Sequence, residues 1–102
     1  MDNCPAEALA QLLGKKWIPQ ILEHLSHQPL RFGQLQKQLG NSTSKVLKQQ
    51  LSLLEHHQLI HNEKQHHDNQ VISTYSLTTL GLSLVPIVLT MKKWGQEHLE
   101  CL

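Results

Sequence analysis

The chain has 102 residues, 39% of them apolar and 17% charged, with a formal charge of +1 at pH 7. That describes one soluble globular domain over residues 1–102, with no room for a second core. It excludes a membrane span, which needs about 18 uncharged apolar residues in a row, and the acidic start Met1-Asp2-Asn3 lacks the basic flank of a signal peptide, so a cytoplasmic protein is expected.

Cys4-Pro5 opens the first predicted helix, because proline suits the first helical position and leaves Cys4 as the cap; Ala8, Leu9, Leu12 and Leu13 then recur at helical spacing up to Gly14. A second helix carries Trp17, Ile18, Ile21, Leu22 and Leu25 on one face and stops before Gln28-Pro29. Gly33 is the expected cap of a short third helix with Leu35 and Leu39 buried, ended by Gly40 in a left-handed conformation. Thr43 caps a fourth, whose buried stripe Leu47, Leu51 and Leu54 turns Ser44, Lys45, Lys48, Gln49 and Ser52 outward. These two helices, joined through Gly40-Asn41-Ser42, form a helix-turn-helix pattern.

After Leu59 the period changes to alternation, and a two-stranded hairpin is predicted over 59–65 and 70–77 with the loop His66-His67-Asp68-Asn69. Thr78 caps a final helix with two apolar stripes, one through Leu80, Leu84, Ile87, Val88 and Met91, the other through Leu82, Val85 and Leu89. That is more apolar surface than one small domain covers, so a second copy of the chain is the expected partner. Pro86 is expected to kink this helix. Trp17 is assigned to the core and Trp94 to the interface.

A helix-turn-helix followed by a hairpin is the winged-helix plan, an α+β fold whose second motif helix enters the DNA major groove. The charges agree: from His24 to Leu54 the only charged residues other than histidine are Arg31, Lys37, Lys45 and Lys48, all basic. Lysines there neutralise phosphates, whereas Gln49 can pair with adenine through both ends of its amide. Double-stranded operator DNA is thus the expected partner, with Arg31, Thr43, Ser44, Lys45, Lys48, Gln49, Ser52, His66 and His67 as candidate contacts. The competing readings are a winged helix used as a protein–protein module, and a small enzyme; the second lacks any nucleophile, base and orienting group at usable spacing.

A thiol at a helix N-cap faces unpaired amides and the positive end of the helix dipole, which lower its pKa, while the Glu7 carboxylate is expected to oppose this. Five of the eight histidines, His56, His57, His61, His66 and His67, crowd the end of the fourth helix and the hairpin, but their spacing matches no ligand pattern. Neither a metal nor a cofactor is expected.

The segments Asn3-Cys4-Pro5, Gly14-Lys15-Lys16-Trp17, Leu30-Arg31-Phe32, Leu47-Lys48-Gln49-Gln50-Leu51, Leu54-Glu55, Tyr75-Ser76-Leu77-Thr78 and Trp94-Gly95 resemble, in order and over nearly the whole chain, the HxlR family of bacterial transcription regulators. The resemblance implies a homodimeric winged helix with N- and C-terminal dimerisation helices, here carrying Leu9, Leu82, Val85, Leu89 and Trp94. It also implies a reactive cysteine before the first helix, matched by Cys4, that senses an oxidant or electrophile, with Cys101 as a candidate partner for a disulfide. The chain departs from the family at its hairpin. Gln65 to Thr74 holds neither proline nor arginine, the family's glycine before the first strand is Gln58, and its arginine near the start of that strand is replaced by His61 or Asn62.

Overall fold

A computed structural model describes residues 4–40 and 42–99; the expectations placed on Met1, Asp2, Asn3, Asn41 and Cys101 lie outside the described residues. Two helices, α1 (Pro5–Leu13) and α2 (Ile18–His27), lead into a short strand β1 (Leu30–Arg31). Then follow α3 (Phe32–Leu39), α4 (Ser44–His56), a hairpin of β2 (Ile60–His67) and β3 (Gln70–Leu77), and the long helix α5 (Thr79–His98). The sheet is antiparallel in the order β1-β3-β2, with Leu30 opposite Tyr75 and Ile60 opposite Leu77.

The core forms where the apolar stripes of the helices converge. Ile18, Ile21 and Leu22 of α2, Leu35 of α3, and Leu47, Leu51 and Leu54 of α4 are all less than 2% exposed. Tyr75 closes the sheet side and Leu84 and Val88 close the α5 side. Trp17 packs half-buried against this core, as assigned, in a left-handed conformation (φ 76°) that makes the tight turn between α1 and α2.

Three expectations need correction. Gly33 does not cap α3: the helix starts two residues sooner, with Arg31 as N-cap, and the Arg31 amide donates to Gln34 Oε1 at 2.9 Å. Arg31 also pairs opposite Thr74, so the strand β1, which periodicity did not predict, delivers the chain directly into the helix. The hairpin loop is two residues, not four. His66 and His67 belong to β2, opposite Val71 and Gln70, and only Asp68 (φ 49°) and Asn69 (φ 66°) turn. Positive φ at both central residues suits a tight hairpin turn, whose twist matches that of the strands. Gly40 ends α3 at positive φ as expected (φ 73°, ψ −94°), though its ψ lies far from the left-handed helical basin.

Helix α5 runs without a break across Pro86, with Gly81, Leu84 and Val88 as its buried line. That line is set by Gly81, where a Cβ would lie 2.0 Å from the Leu59 carbonyl oxygen. Thr78 fixes the same junction: its amide donates to Leu59 O at 3.1 Å, and its hydroxyl donates to Gln58 O at 2.7 Å and accepts from the Gly81 amide at 3.0 Å. Gln58 itself adopts φ 60°. A residue with a side chain is disfavoured there by about 1 kcal/mol or more.

Two substitutions at this junction should therefore move stability in opposite directions. Gly81→Ala should destabilise by about 3 kcal/mol, since backbone must shift to admit the methyl group, and Gln58→Gly should stabilise by about 1 kcal/mol. Urea denaturation followed by circular dichroism measures both.

Candidate nucleic-acid interface

Helix α4 owes its direction to two contacts at its N-terminal end. Thr43 Oγ1 accepts from the Val46 amide at 3.2 Å and caps the helix, as the sequence predicted. From α3, Gln36 Nε2 donates to Ser42 O at 3.3 Å and to Ser44 Oγ at 3.1 Å, bridging the turn of the helix-turn-helix. Gln36 was not among the predicted site residues. Its amide resembles that of any solvated helix residue until the turn brings Ser42 and Ser44 beneath it.

With Leu47, Leu51 and Leu54 buried, Lys45, Lys48, Gln49 and Ser52 fall on the opposite face at helical spacing, and all four are exposed. Thr43 and Ser44 are exposed too, but their hydroxyls are engaged in the cap and the Gln36 bridge. Lys48 Nζ lies 5.7 Å from the centre of the Phe32 ring, close enough for a cation–π contact. Phe32 was likewise missed; as the only phenylalanine, it leaves no periodic signal. Its neighbour Arg31 is exposed and, with Gln65, His66, His67 and Ile72 of the wing, lines an open groove of about 560 Å³. The structure thus brings the predicted bases of α4, Arg31 and the two wing histidines along one side of the molecule, with Phe32 between them.

The other wing histidines fall elsewhere. His56 and His57 meet edge to face at 5.5 Å where α4 ends, seven or more strand residues from the hairpin tip. Among the described residues, no three His, Cys, Asp or Glu side chains gather as a metal site would require.

Cys4 is exposed at the N-cap of α1. Its sulfur closes no cap hydrogen bond of ordinary geometry. The backbone amides of Glu7 and then Ala6 nevertheless bear on it and hold the thiol below its usual pKa, against a small opposing effect of desolvation. Glu7 therefore acts through its amide in favour of the thiolate; the opposition expected from its carboxylate is not among the causes.

The candidate interface residues divide. Leu82, Leu89 and Trp94 are 53%, 44% and 56% exposed, and Val85 is half-buried. Leu80, Ile87 and Met91, on the other side of the buried line of α5, and Leu99 just beyond the helix are exposed as well. Leu9 instead packs half-buried against its own core, because α1 lies on α2. Among the described residues no helix is long and apolar enough to cross a membrane.

Helix-turn-helix, three-stranded sheet with a two-residue wing turn, and flanking helices together define a winged-helix protein. The chain belongs to the family of HxlR-like helix-turn-helix proteins, which it matches over residues 12–101, and it is a transcriptional regulator of that type. It is similar to the uncharacterized HTH-type transcriptional regulator YybR of Bacillus subtilis, 33% identical over 101 residues, covering 99% of this chain and 80% of that protein. Among solved structures it is similar to the redox regulator HypR in its oxidized form (TM-score 0.83, 33% identity, 96% of this chain and 100% of that one). It is similar also to the quinone-bound YodB of B. subtilis (TM-score 0.73, 26% identity, 93% of this chain and 99% of that one).

The amide-lowered thiol predicts a reactivity. In a Cys101→Ser background, the rate of Cys4 alkylation by iodoacetamide should rise with pH through a midpoint below the ~8.5 of free cysteine. A midpoint at or above that value would remove the effect of the cap.

Proposed function

We propose that the chain is a homodimeric, cytoplasmic regulator that binds operator DNA through α4, with Cys4 as the thiol through which an oxidant or electrophile alters that binding. The observation that carries the reading is the exposed face Lys45, Lys48, Gln49 and Ser52, which bears no acid and is held at its N-terminal end by the Gln36 bridge. Lysines at these positions act on phosphates, and Gln49 presents a donor and an acceptor at adenine's spacing. Binding, not catalysis, is then the activity, and it calls for no cofactor.

The dimer rests on the uncovered apolar surface of α5, which in water favours a second copy of the same surface across a two-fold axis. Cys4 enters through α1. Addition of its thiolate to a quinone ring carbon forms a C–S bond while the ring takes up the electron pair and a proton; the similarity to quinone-bound YodB and to the redox regulator HypR supports that chemistry here. A modified Cys4 would change the start of α1, and through it the packing of α1 on α2, against which α5 also lies. The pairing of Cys4 with Cys101 is the specific form of the switch that a partner subunit would permit, provided their α-carbons come within about 7 Å.

Two measurements test the reading. Gel shifts with the DNA upstream of the protein's own gene should show Gln49→Ala losing about 1–3 kcal/mol at particular base pairs, while Lys48→Ala weakens binding to every sequence and lowers the salt slope by about one. Equal loss on operator and random DNA in Gln49→Ala would remove the base-reading role, and only sequence-indifferent binding by the wild type would leave a protein–protein module. Sedimentation should give twice the 11.7 kDa chain mass at micromolar concentration, with Leu82→Glu and Leu89→Glu together giving a monomer; a wild-type monomer would contradict the dimer.

A further inference from the structure

The helix face explains the lysines of α4 but leaves the wing unexplained: a strand pair without arginine, ending in two adjacent histidines. In β2 adjacent side chains point to opposite faces, so His66 and His67 cannot bind one small ion together. They flank the wing tip instead, and both line the groove that also holds Arg31 and Gln65. Arg31 and His67 lie on one face of the sheet, since their partners Thr74 and Gln70 are an even number of residues apart on β3.

We propose that this groove is a proton-gated site for the DNA backbone, in which Arg31 supplies a permanent charge and His66 and His67, on opposite faces of the wing tip, each meet a different phosphate and supply charge only when protonated. It rests on the reading that α4 docks on DNA. Phe32, which packs under Lys48, joins the base-bearing face of α4 to Arg31, so a duplex lying along α4 passes its backbone over the groove. Both histidines are exposed, and each neutral imidazole can take up a proton beside a phosphate without a desolvation penalty.

The surrounding charges set the sign. On β2 itself are His61, Glu63 and Lys64, and Glu63 Oε1 accepts from Gln65 Nε2 at 3.2 Å. In the turn, Asp68 Oδ2 lies 3.7 Å from His67 Nε2, with both side chains more than three-quarters exposed. The partner strand β3 carries no Asp, Glu, Lys, Arg or His, and β1 brings Arg31 alone. Glu55, His56 and His57 of α4, which packs on β2, lie at its far end, roughly 20 Å away by strand rise. A phosphate bound beside an imidazole favours its protonated form, so binding takes up protons and affinity rises as pH falls.

The test measures binding of a fluorescent duplex of about 25 base pairs and arbitrary sequence at low salt, at pH 7.5 and pH 6.0. Each proton taken up beside a phosphate adds a positive charge to the contact, so the wild type should bind several-fold tighter at pH 6.0 than at pH 7.5. His66→Gln with His67→Gln should lose most of the gain between pH 7.5 and pH 6.0. His66→Lys with His67→Lys should bind at pH 7.5 as tightly as the wild type at pH 6.0, with little further change. A pH dependence that persists in the glutamine variant, or lysine variants no tighter than wild type at pH 7.5, would overturn the proposal while leaving DNA binding through α4 intact. Absence of binding to any duplex at either pH would instead overturn the docking of α4, and the gate with it.

Discussion

The approach of Gly81 to the carbonyl of Leu59 is the contact on which the arrangement of the molecule depends. With no room for a Cβ at Gly81, the first turn of α5 lies against the residues that end α4 and begin the wing. Thr78 locks the same point with bonds to Gln58 and Leu59. The helix that carries the apolar surplus is therefore fixed, at its N-terminus, to the two elements proposed to face DNA.

That junction also decides which side of α5 is buried. Gly81, Leu84 and Val88 must face inward once the first turn is seated, and at helical spacing this turns Leu80, Ile87 and Met91 outward with Leu82 and Leu89. The surplus is thus not one stripe beside a buried one but two, one on each side of the buried line. A second copy that covers it inherits a fixed relation to α4, so the interface that hides the apolar surface also sets the distance between two reading helices. The Lys92–Glu23 ion pair at 2.8 Å joins α5 to α2 further along, but as a partly exposed pair it contributes little to stability.

Much of this was legible in the sequence wherever a period or a cap carried it. The stripes Leu47, Leu51, Leu54 and Ile18, Ile21, Leu22, the caps Thr43 and Thr78, and the change of period after Leu59 each stand in their predicted places. Local signals failed where partners distant in the chain decide. Leu30-Arg31 is too short to show alternation and becomes a strand only because Tyr75 and Thr74 lie beside it, and that pairing moves the N-cap of α3 from Gly33 to Arg31. His66 and His67 read as loop residues because histidine is indifferent to strand or turn, whereas Asp68-Asn69 suffices for the turn. Of the candidate site, the outward face of α4 followed from the stripe opposite it; the Gln36 bridge and the Phe32 contact with Lys48 did not, since both cross between helices.

The central claim is that α5 pairs two copies so that two α4 helices read one duplex. Selection of bound sequences from a random duplex library by the purified protein, followed by sequencing, tests it most directly. A dimer of this geometry should enrich a two-fold symmetric sequence with half-sites centred about 10–10.5 base pairs apart, one turn of DNA. Enrichment of a single unpaired half-site, or of no sequence at all, would contradict it.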